Sequence, residues 1–82
     1  MNLSEVKTGE KVRITSFTNE DLVLKLMEMG CLPGEEIVVW KKAPFGDPIY
    51  VLVAGYSLSL RKDEAEGIQV ESSIVDIKSD QL

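Results

Sequence analysis

The sequence contains no histidine and only one cysteine, Cys31. Histidine is the commonest general base and the commonest transition-metal ligand, so its absence weakens the case for either kind of site. A lone cysteine cannot form an intrachain disulfide, and a soft metal ion would find a single thiolate. We therefore interpret Cys31 as a small apolar residue, and we predict no catalytic, cofactor-binding or metal-binding residues and no enzyme activity.

Basic charge is also scarce. Nine Lys and Arg face fourteen Asp and Glu, for a net charge of −5, and the adjacent basic pairs are Lys41-Lys42 and Arg61-Lys62. Nucleic-acid binding depends on cationic side chains that neutralise phosphates, so we expect no nucleic-acid partner. No apolar run approaches the roughly 20 residues that cross a bilayer, and the N-terminus lacks the features of a signal peptide. We expect a cytoplasmic protein.

What the 82 residues do contain is a run of short elements separated by glycines. Alternating or β-branched segments predict strands, and a capped segment with carboxylates in its first turn predicts a helix. The predicted strands cover residues 11–15, 36–41, 49–53, 56–61 and 68–70, and the helix covers 18–30. This pattern predicts a mainly β fold, a small and partly open barrel of about five strands with one inserted α-helix.

The predicted helix carries more apolar surface than a surface helix needs. Its apolar side chains cover an arc of roughly 220°, about twice the usual stripe. They are Leu22, Val23, Leu24, Leu26, Met27 and Met29. Two interpretations remain open: the helix is wedged between the barrel and the N-terminal segment, or the side with Leu24 and Met27 meets a partner protein.

The second unusual feature is the turn at residues 43–48 (APFGDP), which joins the predicted strands 36–41 and 49–53. Its prolines fix φ and withhold two backbone donors, so the turn is stiff, and Gly46 permits a sharp reversal. Phe45 lies at the tip, where it either folds back onto the barrel end or faces a partner. The partner-binding hypothesis names Leu24, Met27, Pro44, Phe45, Gly46, Asp47 and Pro48.

A carboxylate cluster follows the fourth predicted strand. Asp63, Glu64 and Glu66 could hold a hard cation weakly, but acidic residues in the first turn of a helix are usually solvated, and we favour that interpretation. Ser57 and Ser59 alternate with leucines and indicate the outer face of a strand.

Several motifs occur in a fixed order along the chain: the segments 29–34 (MGCLPG), 43–48 (APFGDP), 58–61 (LSLR) and 64–65 (EA), followed by Ile68 and Val70. Together they resemble the FeoA family. It covers most of the chain, residues 3–70. It implies a Src-homology-3-like (SH3-like) barrel with an inserted helix, a domain over residues 1–70 and a C-terminal extension over 71–82. That extension would form an extra edge strand through Ile74, Val75 and Ile77, or a partly disordered tail.

The resemblance also implies a function. It implies a bacterial cytoplasmic accessory protein of the ferrous iron transporter FeoB, which is a membrane protein with a cytosolic GTP-binding domain. We therefore expect a protein that binds FeoB and is cytoplasmic or peripheral to the inner membrane through it. The sequence leaves open a homo-oligomer, direct but weak binding of Fe(II) or another divalent metal as a carrier or sensor, and regulation of the partner's GTP hydrolysis.

Two details qualify the resemblance. The family often has arginine where this sequence has Lys25, which removes a bidentate donor at that position. The same fold is expected in the C-terminal domain of iron- and manganese-dependent repressors. Those proteins also carry a helix-turn-helix and a dimerisation region, which this sequence has no room for, so a complete repressor is not expected.

Overall fold

The computed structural model describes residues 1–73. After a single 3₁₀ turn at Leu3–Glu5, the chain forms five strands and two helices. They are β1 (Lys11–Phe17), α1 (Glu20–Glu28), β2 (Glu36–Lys42), β3 (Ile49–Val53), β4 (Tyr56–Leu60), α2 (Lys62–Glu66) and β5 (Ile68–Ser72). Each predicted strand is present, and β1 and β5 are each two residues longer than expected.

Hydrophobic alternation explains the strands. In β2, Ile37 and Val39 are buried while Glu36 and Trp40 are exposed, so one face of the strand packs inward. In β3, the buried residues are Ile49, Val51 and Val53.

A capping residue starts helix α1, and a glycine follows its end. The Asn19 Oδ1 accepts a hydrogen bond from the backbone N–H of Asp21 at 3.0 Å, so Asn19 rather than Thr18 is the N-cap. The chain leaves the helix through Gly30 at φ +95°, a conformation that glycine adopts without strain.

The five strands form one antiparallel sheet in the order β4-β3-β2-β1-β5, and this sheet is not closed. The predicted barrel is therefore wrong in that respect. Closure would require β4 to pair with β5, but the outer edge of β5 is already occupied by the N-terminus. The backbone N–H of Val70 donates to the Met1 carbonyl at 2.9 Å, and Asn2 forms a bridge with Gln69.

The core is a single cluster of buried side chains. Side chains from all five strands enter it, together with Leu3 and Val6 from the N-terminus, Leu26 from α1 and Ala65 from α2. Cys31 is fully buried in the same cluster, which confirms its interpretation as a small apolar residue.

The C-terminal strand continues past the predicted domain boundary, because β5 includes Glu71 and Ser72. The predicted edge strand through Ile74, Val75 and Ile77 lies outside the described residues. Neither helix of residues 1–73 is long and apolar enough to cross a membrane.

Candidate functional site

The turn between β2 and β3 has a defined backbone. The Ala43 N–H donates to the Pro48 carbonyl at 3.0 Å, and the Gly46 N–H donates to the Ala43 carbonyl at 2.7 Å. Gly46 has φ +80°, and the Asp47-Pro48 peptide bond is cis. Phe45, at the tip, is 97% exposed. The interpretation in which Phe45 folds back onto the barrel end is therefore wrong, because its ring points into solvent.

Asp47 fixes the turn against helix α2. Its Oδ1 accepts a hydrogen bond from the backbone N–H of Lys62 at 3.1 Å and lies 3.6 Å from the Nε of Arg61. The carboxylate thus bonds a free N–H of the first helical turn and pairs with a cation. Within the predicted partner-binding set, Asp47 is the residue that holds the tip in place.

Helix α1 presents the predicted apolar side to solvent. Leu24 is 69% exposed and Met27 is 41% exposed, while Leu26 is fully buried and Leu22 and Met29 pack against the core. The interpretation in which both sides of the helix are hidden therefore does not hold for residues 1–73. Leu24 and Met27 are therefore apolar side chains on the solvent side of a helix whose other side packs on the core.

An ion pair joins α1 to α2. The Lys25 Nζ lies 2.7 Å from the Glu64 Oε2, and the other carboxylate oxygen, Oε1, accepts the backbone N–H of Arg61 at 2.8 Å. The hydrogen bond from Lys25 lowers the pKa of Glu64, and burial opposes that effect. Glu64 is buried, so the prediction that all three carboxylates of the 63–66 cluster are solvated is wrong for this residue.

Helix α2 is where the two predicted parts of the site meet. Asp47 of the turn contacts Arg61 and Lys62 at its start, and Lys25 of α1 contacts Glu64 one half-turn later. The structure therefore ties the exposed turn and the exposed helix to the same five-residue helix. Sequence analysis did not find the Lys25–Glu64 pair, because its members are 39 positions apart and nothing local links them.

Groups that could ligate a metal are not assembled in residues 1–73, where no three Cys, Asp or Glu side chains come together. Burial, assisted by the nearby charge of Glu64, raises the pKa of the Cys31 thiol to about 11. Its side chain therefore stays protonated at neutral pH, and a protonated thiol is a poor nucleophile and a poor metal ligand.

Sequence analysis also missed an exposed aromatic group on the outer face of the sheet. Trp40 lies at an irregularity in the pairing of β2 with β3, is 49% exposed, and packs 5.7 Å from the ring of Tyr50. The Lys41 Nζ lies 5.8 Å from the same tyrosine ring. The inward alternation of Ile37 and Val39 was the available signal, since it places Trp40 outside.

Comparison with known proteins places these features in a family. The model of the FeoA domain matches residues 1–72. A relative in Porphyromonas gingivalis, the Fe(2+) transport protein A/Fe(2+) transporter FeoB fusion protein, is 38% identical over 72 residues, which are 87% of this chain. The chain spans only 8% of the length of that fusion protein.

Solved structures of FeoA proteins are also similar to this chain. The FeoA-like protein from Clostridium acetobutylicum is 44% identical, with a TM-score of 0.84 over 89% of this chain and 86% of that one. Stenotrophomonas maltophilia FeoA, described as a prokaryotic SH3 domain protein and solved with zinc, is 30% identical. Its TM-score is 0.75, over 87% of this chain and 89% of that one.

The expected likeness to metal-dependent repressors is confirmed at the level of the fold. A manganese-dependent transcriptional repressor is 16% identical with a TM-score of 0.80, and the match covers 88% of this chain and 41% of the repressor. With the match of the domain model over residues 1–72, these findings show that the chain belongs to the FeoA family.

Proposed function

We propose that this chain is a binding module that docks on the cytosolic, GTP-binding region of a FeoB-type ferrous iron transporter and supports or regulates Fe(II) uptake. The observation that carries the proposal is the Porphyromonas gingivalis relative, in which a matching segment belongs to one chain named for both FeoA and FeoB. A covalent link holds two domains at high effective concentration. Without such a link, the same role needs a surface with affinity of its own.

The exposed groups around α2 supply such a surface. Phe45 is an exposed aromatic anchor on a stiff turn, and Leu24 and Met27 are apolar and exposed on α1. Aromatic and apolar anchors dominate binding energy at protein interfaces, and a preformed loop loses little conformational entropy on docking. Binding there would place this protein in the cytoplasm, peripheral to the inner membrane through its partner, with a role that needs no catalytic group.

Co-purification with the full-length transporter in detergent tests the proposal. The tagged transporter is captured without nucleotide, with GDP, and with a non-hydrolysable GTP analogue, and the retained chain is quantified. We expect retention in at least one state. Failure to associate in all three states contradicts the proposal.

The same experiment separates simple docking from regulation. A protein that regulates GTP hydrolysis must bind the nucleotide states with different affinity, whereas equal retention in all of them leaves docking alone. For the alternative of a direct Fe(II) carrier or sensor, micromolar affinity in anaerobic calorimetry would be required.

Two matched variants locate the surface. Leu24→Asp and Leu52→Asp make the same change at two exposed leucines, one on α1 and one on the outer face of β3. We expect both to fold, and Leu24→Asp to weaken retention by at least about tenfold while Leu52→Asp binds as the wild type does. Equal binding by the two variants would contradict the assignment of α1 to the interface.

A further inference from the structure

Strand β4 has an edge that pairs with nothing in the described part of the chain. On one side it pairs with β3 along its whole length, from Val53↔Tyr56 to Ile49↔Leu60. On the other side no strand of residues 1–73 is present, whereas the corresponding edge of β5 is covered by Met1 and Asn2. The exposure of Ser57 and Ser59 agrees with an open edge.

The turn before β4 determines which backbone groups face that edge. Ala54 and Gly55 both have positive φ, +51° and +83°, as in the two-residue type I′ turn of a tight hairpin. In such a hairpin the flanking residues Val53 and Tyr56 exchange hydrogen bonds, and hydrogen-bonded pairs alternate from there. The N–H and C=O groups of Ser57 and Ser59 therefore point away from β3.

As far as residues 1–73 show, the edge carries none of the devices that usually prevent strand addition. Natural edge strands are protected by charged residues, prolines, bulges or a covering segment. Strand β4 has the sequence YSLSL, without charge or proline, and its pairing with β3 is regular over all five residues. Strand β5, by contrast, contains Glu71 and is covered by the N-terminus.

We propose that β4 pairs antiparallel with β4 of a second copy of this chain, joining the two sheets through a two-fold axis at Leu58. In this register Ser57 lies opposite Ser59 of the second copy, and Leu58 lies opposite its equivalent. Ser57 and Ser59 are the residues whose backbone groups face outward, so both symmetry-related serine pairs exchange hydrogen bonds. The edge is complementary to itself, as a two-fold interface requires.

The side chains and charges suit the same register. Tyr56 is 65% exposed although its β3 partner Val53 is buried, and in the dimer it lies opposite Leu60 of the second copy. Arg61, which follows β4, lies opposite the uncharged Gly55. No charged residue therefore lies opposite another charged residue across the new strand pair. The acidic residues behind the net charge of −5 lie outside β4, so they do not oppose pairing at the contact itself.

Sedimentation equilibrium of the full chain from micromolar to millimolar concentration tests the proposal. We expect a reversible monomer–dimer equilibrium. A monomer throughout this range contradicts the proposal.

A charge swap tests the register. Ser57→Lys with Ser59→Lys places like charges opposite each other in the dimer, whereas Ser57→Lys with Ser59→Glu places opposite charges there. Both serines are exposed, so both double variants are expected to fold. At low salt we expect the Lys/Lys variant to dimerise at least about tenfold more weakly than the Lys/Glu variant. Equal dimerisation of the two variants contradicts the register.

Disulfide trapping gives a second readout. Hydrogen-bonded antiparallel pairs have Cα atoms about 5.5 Å apart, within the range that a disulfide spans, while equivalent residues two positions out of register are too distant. A mixture of Ser57→Cys and Ser59→Cys chains should therefore form mixed disulfide dimers, and neither variant alone should. The wild type is the control for Cys31, which is buried. Crosslinking of either variant alone to the same extent would overturn the assigned register.

The proposal does not depend on the proposed function. The dimer uses β4, whereas the surface proposed for FeoB uses α1 and the 43–48 turn. The Lys/Lys variant is thus expected to be retained by FeoB as the wild type is, and Leu24→Asp is expected to dimerise normally. If the wild type is retained by FeoB but stays monomeric, only the dimer proposal has failed; if it dimerises but is not retained by FeoB, only the proposed function has failed.

Discussion

At the scale of single residues, the most informative group is Glu64. It is a buried carboxylate, whereas most other acidic residues of positions 1–73 face solvent, and both its oxygens are bonded, to the Lys25 Nζ and to the Arg61 N–H. A buried charge with satisfied partners stabilises the fold only while it remains ionised. Because Lys25 lowers the pKa of Glu64, the ionised form persists below the usual pH range of a glutamate.

We expect Glu64→Gln to lower the free energy of unfolding by about 1–2 kcal/mol at neutral pH, because the buried carboxylate loses its charge-assisted hydrogen bond from the exposed Lys25. The folded pKa lies below the ordinary value of 4.5, so this contribution is complete above that value. The difference between wild type and variant should shrink as the pH falls through the folded pKa. Denaturant titrations from pH 7 to pH 3 measure it.

Glu66→Gln is the matched control, since Glu66 is exposed on the same helix. Its effect should stay within about 0.5 kcal/mol at every pH. If the two variants are equally stable at neutral pH, the Lys25–Glu64 pair does not link α1 to α2 in solution.

At the scale of elements, short sequence patterns were sufficient to predict the strands and the longer helix. Alternating and β-branched segments located all five strands, and β3 is found at the predicted bounds. The open state of the sheet could not be predicted, because it depends on the N-terminal residues Met1 and Asn2 occupying the edge of β5, some seventy positions away. The direction of Phe45 was open for a related reason: a turn sequence specifies its backbone, whereas side-chain direction depends on the distant anchor at Arg61 and Lys62.

Two candidate caps of α1 provide a test at this scale. The sequence allowed Thr18 or Asn19, and the structure places the capping hydrogen bond on the Asn19 side chain. We expect Asn19→Ala to lower the free energy of unfolding by about 1 kcal/mol, because the Asp21 N–H loses its partner. Thr18→Ala should have little effect, since Thr18 bonds Gly67 only through its backbone N–H. Chemical denaturation measures the free energy of unfolding of both variants. A larger decrease for Thr18→Ala than for Asn19→Ala would contradict the assigned cap.

At the scale of the whole molecule, two surfaces are proposed for two contacts, and they adjoin at Arg61, which pairs with Asp47 of the turn and directly follows β4. Helix α2 holds α1 and the 43–48 turn through ionic and backbone contacts, so the surface proposed for FeoB is connected to the core at several points. The β4 edge lies at the end of the sheet opposite β5 and β1. Docking on a transporter and self-association can therefore be altered independently.

The most direct test of the central claim is the affinity of this chain for full-length FeoB, compared between Phe45→Ala and Trp40→Ala. Both residues are exposed aromatics, one at the tip of the turn and one on the outer face of the sheet. We predict that Phe45→Ala weakens binding by at least about tenfold without changing the free energy of unfolding, while Trp40→Ala binds normally. Undiminished affinity of the Phe45→Ala variant would contradict the account.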